Sequence, residues 1–76
     1  MEIVEKEIVS KEFGKYIREA REKQRLYQAD VAEQLGISRV YYTHIEAGNR
    51  EIYFALAINI CRILNLDISE IMKRIG

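Results

Sequence analysis

Proline and tryptophan are absent from the 76 residues, glycine occurs four times and cysteine once. Without proline, and with so little glycine, a turn-rich β architecture is disfavoured and helices are the expected elements. The single Cys61 excludes an internal disulfide and a cysteine-based zinc site. It reads as a small core hydrophobe, the usual behaviour of a free cysteine. Long apolar runs are also missing. The longest, Ile52 to Ile58, is far too short to span a bilayer. The chain start lacks the basic-then-apolar pattern of a signal peptide, so a soluble cytoplasmic protein is expected. Equipment for catalysis is equally scarce. There is one histidine, and no glycine-rich phosphate loop or metal-ligand spacing. No enzyme, catalytic residue, metal or cofactor is therefore expected.

An excess of charge of either sign is the last absence: twelve Lys/Arg balance twelve Asp/Glu. The balance is uneven along the chain. Residues 1–12 hold four Glu and two Lys, and residues 13–76 hold ten Lys/Arg against eight Asp/Glu. This length has room for one small domain with a marginal core.

What is present is organised around residues 28–47, QADVAEQLGISRVYYTHIEA. Val31, Ala32 and Leu35 share one helical face. Gly36 follows where a helix ends in a left-handed residue. Ile37 plugs the corner, and Ser38 is placed to cap the next helix with its hydroxyl. Tyr42 and Ile45 recur on the inner face of that second helix. Ala32 is small where two steeply crossing helices approach. These are the cues of a helix-turn-helix, with helices over Gln28 to Leu35 and from Ser38 or Arg39 to Glu46 or Ala47, the latter closed by Gly48.

The flanking chain supplies three more helices. Ser10 is a plausible cap for a first helix from Lys11 to about Gln24, with Phe13, Ile17, Ala20 and Arg21 on its inner face. An inward arginine needs a partner, and Glu46 on the inner side of the third helix is one candidate. A rim position in water is the other reading. A fourth helix, about Tyr53 to Leu64, is apolar nearly all round, with only Asn59 and Arg62 facing outward, and is expected to be the most buried. Asp67 and Glu70 form an Asp version of the capping box for a short last helix carrying Ile68, Ile71 and Ile75. Residues 1–9, with Ile3, Val4, Ile8 and Val9 among glutamates, are an N-terminal extension: a tail, an extra helical turn, or an arm pairing with a second subunit. Residues 10–76 form the single domain.

A helix offered to DNA needs its outer face free. Arg39, Val40, Thr43 and His44 fall on that face, with Tyr41 at the side. Arginine makes bidentate pairs with guanine, and valine suits a thymine methyl. Thr43 and His44 can meet base edges. Ser38 stands at the same N-terminus. Gln28 opens the second helix where its amide and backbone N–H can meet a phosphate. Asn49 and Arg50 can reach the backbone of the other strand.

The pattern FGKYIREAR, the stretch QADVAEQLGIS, the run YYTHIEAGNR and the closing LNLDISEIM together resemble the phage repressor and Cro type of helix-turn-helix, the XRE family. The resemblance covers roughly Phe13 to Ile75. It implies an all-α, five-helix repressor-like domain that binds a near-palindromic operator as a homodimer. It also implies a phosphate-binding role for Gln28, base reading by Arg39, Val40, Thr43 and His44, and a buried ion pair between Arg21 and Glu46. The chain departs from the family where a glycine and a Ser/Thr/Asn cap usually precede the second helix, since Arg25 and Tyr27 stand there. Tyr42 replaces a smaller aliphatic residue and must find room or reach the surface. The expected function is sequence-specific binding of double-stranded DNA by a transcriptional regulator, a repressor first of all. A protein-interaction or antitoxin-like module, favoured by the zero net charge and the apolar N-terminal residues, is the alternative.

Overall fold

The computed structural model describes residues 3–76; Met1 and Glu2, the start of the expected N-terminal extension, lie outside the described residues. Five helices account for the regular structure among them: α1 (Lys6–Lys23), α2 (Gln28–Leu35), α3 (Arg39–Ala47), α4 (Phe54–Ile63) and α5 (Ile68–Ile75). α1 packs against α3 and α5, and α2 against α3 and α4. The core joins Phe13, Ile17 and Ala20 of α1, Val31 and Ala32 of α2, and Tyr42 and Ile45 of α3. Leu56, Ile60, Cys61 and Leu64 from α4 and its C-cap, and Ile71 of α5, complete it. Cys61 is buried and unpaired, as its apolar surroundings suggested.

α1 begins five residues before the sequence placed it. Ser10 lies inside the helix, and Glu5 is the N-cap without a side-chain cap bond. The carbonyl of Glu5 accepts from the backbone N–H groups of Ile8 and Val9, both at 3.1 Å. Nothing in Lys6–Ser10 breaks a helix, and Val9 continues the apolar row of Phe13 and Ile17 by one turn. The extra-turn reading of the extension therefore holds for residues 6–9.

α4 is less buried than its composition suggested. Tyr53 and Phe54 are 65% and 73% exposed, Ala55 is exposed as well, and only Leu56, Ile60 and Cys61 of the helix are buried. A five-helix domain has too few neighbours to cover a helix that is apolar on every side. At α5 the Asp67 carboxylate accepts from the Ser69 backbone N–H at 2.9 Å. Glu70, however, does not complete the reciprocal half of the box; it lies 3.4 Å from Lys73 Nζ.

The ends of α1 and α4 are built alike. Each helix is followed by a left-handed residue, Arg25 (φ 57°) and Asn65 (φ 57°). A leucine then closes each turn: Leu26 N–H donates to Arg21 O at 3.1 Å, and Leu66 N–H to Cys61 O at 2.7 Å. Gln24 Nε2 donates to Leu64 O at 2.6 Å and ties the two turns together. Chemistry differs where geometry repeats. Asn65 tolerates the left-handed region and Asp67 caps, whereas Arg25 is strained there and Tyr27 gives no side-chain cap bond. Asp30 compensates in part, its Oδ2 accepting from the Tyr27 backbone N–H at 2.7 Å. Replacing Arg25 by glycine relieves the left-handed strain of about 1–2 kcal/mol, less the chain entropy glycine adds to the unfolded state. The expected net gain is about 0.5–1 kcal/mol, seen as a higher melting temperature; a lower one contradicts the strain.

Candidate nucleic-acid interface

The turn between α2 and α3 is fixed from both sides. Gly36 is left-handed at φ 73°, and the Ile37 backbone N–H behind it donates to Ala32 O at 3.1 Å. Ser38 Oγ accepts from the Tyr41 backbone N–H at 3.0 Å, so the residue is the N-cap of α3. At the other end Gly48 is left-handed at φ 76°. A Cβ there would meet Lys11 Cα and Cγ at 2.8 Å, because α1 crosses the end of the third helix at this point. The loop beyond carries Asn49 and Arg50, both exposed.

Tyr42, Ile45 and Glu46 form the buried side of α3. Arg39 and Val40 stand free at its N-terminal end, Val40 with 60% of its surface exposed. Thr43 and His44 are half-buried one turn on, and Ala47 is exposed beyond them. Tyr41 leans on the core and is also half-buried. The outer row is thus Arg39, Val40, Thr43 and Ala47, with His44 beside it. Ala47 has no polar group and was given no role from the sequence.

Arg21 is not a rim residue. Its Nε donates to Glu46 Oε2 at 2.7 Å and its Nη2 to Glu46 Oε1 at 3.0 Å. Nη1 donates to Leu26 O at 2.8 Å, which anchors the strained turn as well. The side chains are 12% and 2% exposed, so the pair is largely withdrawn from water. Burial works against the Glu46 charge, yet the hydrogen bonds from Arg21 and Gln28 outweigh it and hold the carboxyl below its ordinary value. Gln28 Nε2 donates to Glu46 Oε1 at 3.0 Å. The Thr43 hydroxyl lies 2.8 Å from Gln28 Oε1 and 2.8 Å from Arg39 O. The hydrogen-bonding role of Gln28 was not legible in the sequence, because side chains on two helices converge only in the fold.

Tyr42 found room rather than surface. It is fully buried, and its hydroxyl lacks a hydrogen-bond partner. Burial, then the Glu46 carboxylate nearby, pushes its phenol up. An unsatisfied buried hydroxyl costs about 1–3 kcal/mol. Tyr42→Phe is therefore expected to leave stability unchanged or raise it by about 1 kcal/mol in a denaturant titration. A loss of that size would mean that the hydroxyl is bonded in solution.

Among the described residues no cluster of three or more His, Cys, Asp or Glu side chains is arranged to hold a metal. No helix among the described residues is long and apolar enough to cross a membrane.

Comparison with known proteins points the same way as the geometry. The helix-turn-helix family profile matches residues 17–71. An uncharacterized HTH-type transcriptional regulator of Bacillus subtilis (strain 168), YqaE, is 34% identical over 61 residues; the match takes in 80% of this chain and 53% of the relative. The chain thus spans about half the length of that curated relative. Among solved structures, the clp gene regulator ClgR from Corynebacterium glutamicum superposes with a TM-score of 0.80 at 20% identity, over 84% of this chain and 68% of that one. This second likeness concerns the fold.

Proposed function

The chain belongs to the helix-turn-helix family, and from that premise we propose that it regulates transcription by binding a specific double-stranded DNA sequence through α3. In this reading a homodimer sits on a near-palindromic operator and acts as a repressor. One observation carries it: Arg39 and Val40 stand exposed at the N-terminal end of a helix whose other face is locked by Glu46, Ile45 and Tyr42. Side chains at that end of a recognition helix reach base edges in the major groove. Arg39 reads guanine, Val40 a thymine methyl, and Thr43 and His44 neighbouring bases, with Tyr41 at the flank. Ser38, the α2 N-terminus at Gln28, Asn49 and Arg50 meet phosphates. The residues are only weakly basic as a set, so base contacts and two-site binding supply much of the affinity.

An apolar groove of about 860 Å³ supports the dimer. Val4, Val9 and Phe13 of the chain start, Phe54 of α4, and Ile71 and Met72 of α5 line it. Phe54 and Met72 are largely exposed, and such a patch is costly to leave in water. The groove also includes Arg50 and Glu51, in the loop after α3. The same groove favours the runner-up reading, a protein-interaction module in which DNA binding is secondary.

Arg39→Ala, compared with the wild type, separates the two. It is expected to cost ~1–3 kcal/mol of specific binding and to relax the preference at one base pair per half-site, measured by titration against variant duplexes. Uniform weakening on every sequence, or no effect at all, contradicts direct readout by Arg39, and the absence of any sequence preference in the folded wild type favours the interaction module.

A further inference from the structure

Glu46, Gln28 and Thr43 form a chain of polar contacts that runs from the core to the outer row of α3, and the polarity of its Glu46–Gln28 link is fixed. The Glu46 carboxylate is an acceptor held ionised by Arg21. The atom of Gln28 that faces it at 3.0 Å must therefore be the amide nitrogen. This settles the orientation of the amide and turns Oε1 toward Thr43. The Thr43 hydroxyl has a single proton and meets two atoms that only accept, Gln28 Oε1 and Arg39 O, each at 2.8 Å. Its proton is directed inward whichever of the two it takes. What remains for an outside partner is oxygen lone pairs.

We propose that Gln28 and the Arg39 carbonyl together position Thr43 for base recognition: they hold its proton inward, so that the hydroxyl meets DNA as an acceptor, and Thr43 selects a base carrying an exocyclic amine. The inference rests on the DNA-binding reading above. In the major groove such donors are the N6 amine of adenine and the N4 amine of cytosine, whereas guanine O6 and N7 and thymine O4 only accept. An unrestrained threonine serves either kind of partner, so the relay converts an ambiguous side chain into a selective one. Two bonds of the Gln28 side chain are spent on Glu46 and Thr43. The second N–H of the amide stays free and, with the backbone N–H, can meet a phosphate at the start of α2.

The test uses the full chain and the duplex enriched from a random library. Thr43→Val identifies the base pair whose preference changes, and Thr43→Ser is expected to restore it. At that pair, adenine is replaced by purine, or cytosine by 2-pyrimidinone, which removes only the amine. The wild-type protein is expected to lose about five- to tenfold in affinity, the effect of one hydrogen bond, and Thr43→Val to lose nothing further. Gln28→Met, checked by its melting curve, leaves the Arg39 carbonyl as the one inward acceptor, so it is expected to weaken the preference at this pair without reversing it and to leave the other positions intact. A wild-type preference for a base acceptor at that pair overturns the proposal while sequence-specific binding stands. So does a Gln28→Met protein that is weakened equally on all sequences, the behaviour of a phosphate ligand. If no duplex is enriched by the folded protein, the DNA-binding reading itself fails, and the relay's role in recognition fails with it.

Discussion

Replacing Glu46 by alanine is expected to remove a large share of the protein's stability. The substitution leaves the Arg21 guanidinium largely buried without its carboxylate, and breaking such a pair from one side costs about 3–5 kcal/mol. A domain of 76 residues has about 4–11 kcal/mol in total. The loss is enlarged because Glu46 Oε1 also accepts from Gln28, whose amide is orphaned with it. A circular-dichroism melt is expected to show a midpoint lower by tens of degrees, or no transition at all. Acid acts by the same route. The carboxyl's folded value lies below its ordinary value of 4.5, so its contribution is fully present above that value and is lost as pH falls through the lower, folded one. Stability is therefore expected to drop below about pH 4.5 in the wild type, and less steeply in Glu46→Gln. A Glu46→Ala melt within a few degrees of the wild type would show that the pair is solvated.

Gly14→Ala is the second large effect, and its sign runs against helix propensity. In an exposed helix interior, alanine is better than glycine by about 1 kcal/mol. Gly14 is instead buried in α1 against α3. A Cβ there would come closer than 3.0 Å to the carbonyl oxygens of Ile45 and Glu46 and to the Glu46 carbonyl carbon. These are backbone atoms of a helix, so no rotamer change relieves the overlap, and α1 must lift from α3. Overpacking of this kind typically costs about 1–3 kcal/mol, sometimes more; we expect a net loss of about 2–3 kcal/mol. A denaturant midpoint higher than the wild type's would mean that the two helices do not approach this closely.

How much of this was legible in the sequence depends on how locally each feature is encoded. α2 and α3 were placed to within a residue because their ends are written in the chain: Gly36, Ser38 and Gly48 each have a short-range backbone reason to be there. The Arg21–Glu46 pair was suggested by an inward-facing charge on each of two helices. The start of α1 was missed because Ser10 resembles a cap, and the signal against it, Val9 continuing the row of Phe13 and Ile17, is weak. Gly14 drew no attention because a lone helical glycine carries no mark of the helix that crosses it. The exposed start of α4 was misjudged for a similar reason: composition shows how apolar a helix is, but not how many neighbours remain to cover it. The Glu46–Gln28–Thr43 relay joins atoms from α2 and α3 whose meeting depends on the crossing geometry. Tyr42 was flagged by its size, yet only the packed core shows that its ring is accommodated and its hydroxyl is not.

The most direct test of the account is a selection from a random duplex library at near-physiological salt, followed by the same selection with Arg39→Ala. A two-fold symmetric site is expected, its half-sites about one helical turn (~34 Å) apart, with a guanine contact that Arg39→Ala relaxes. Enrichment of no sequence by the folded protein would contradict the claim that the outer row of α3 reads DNA.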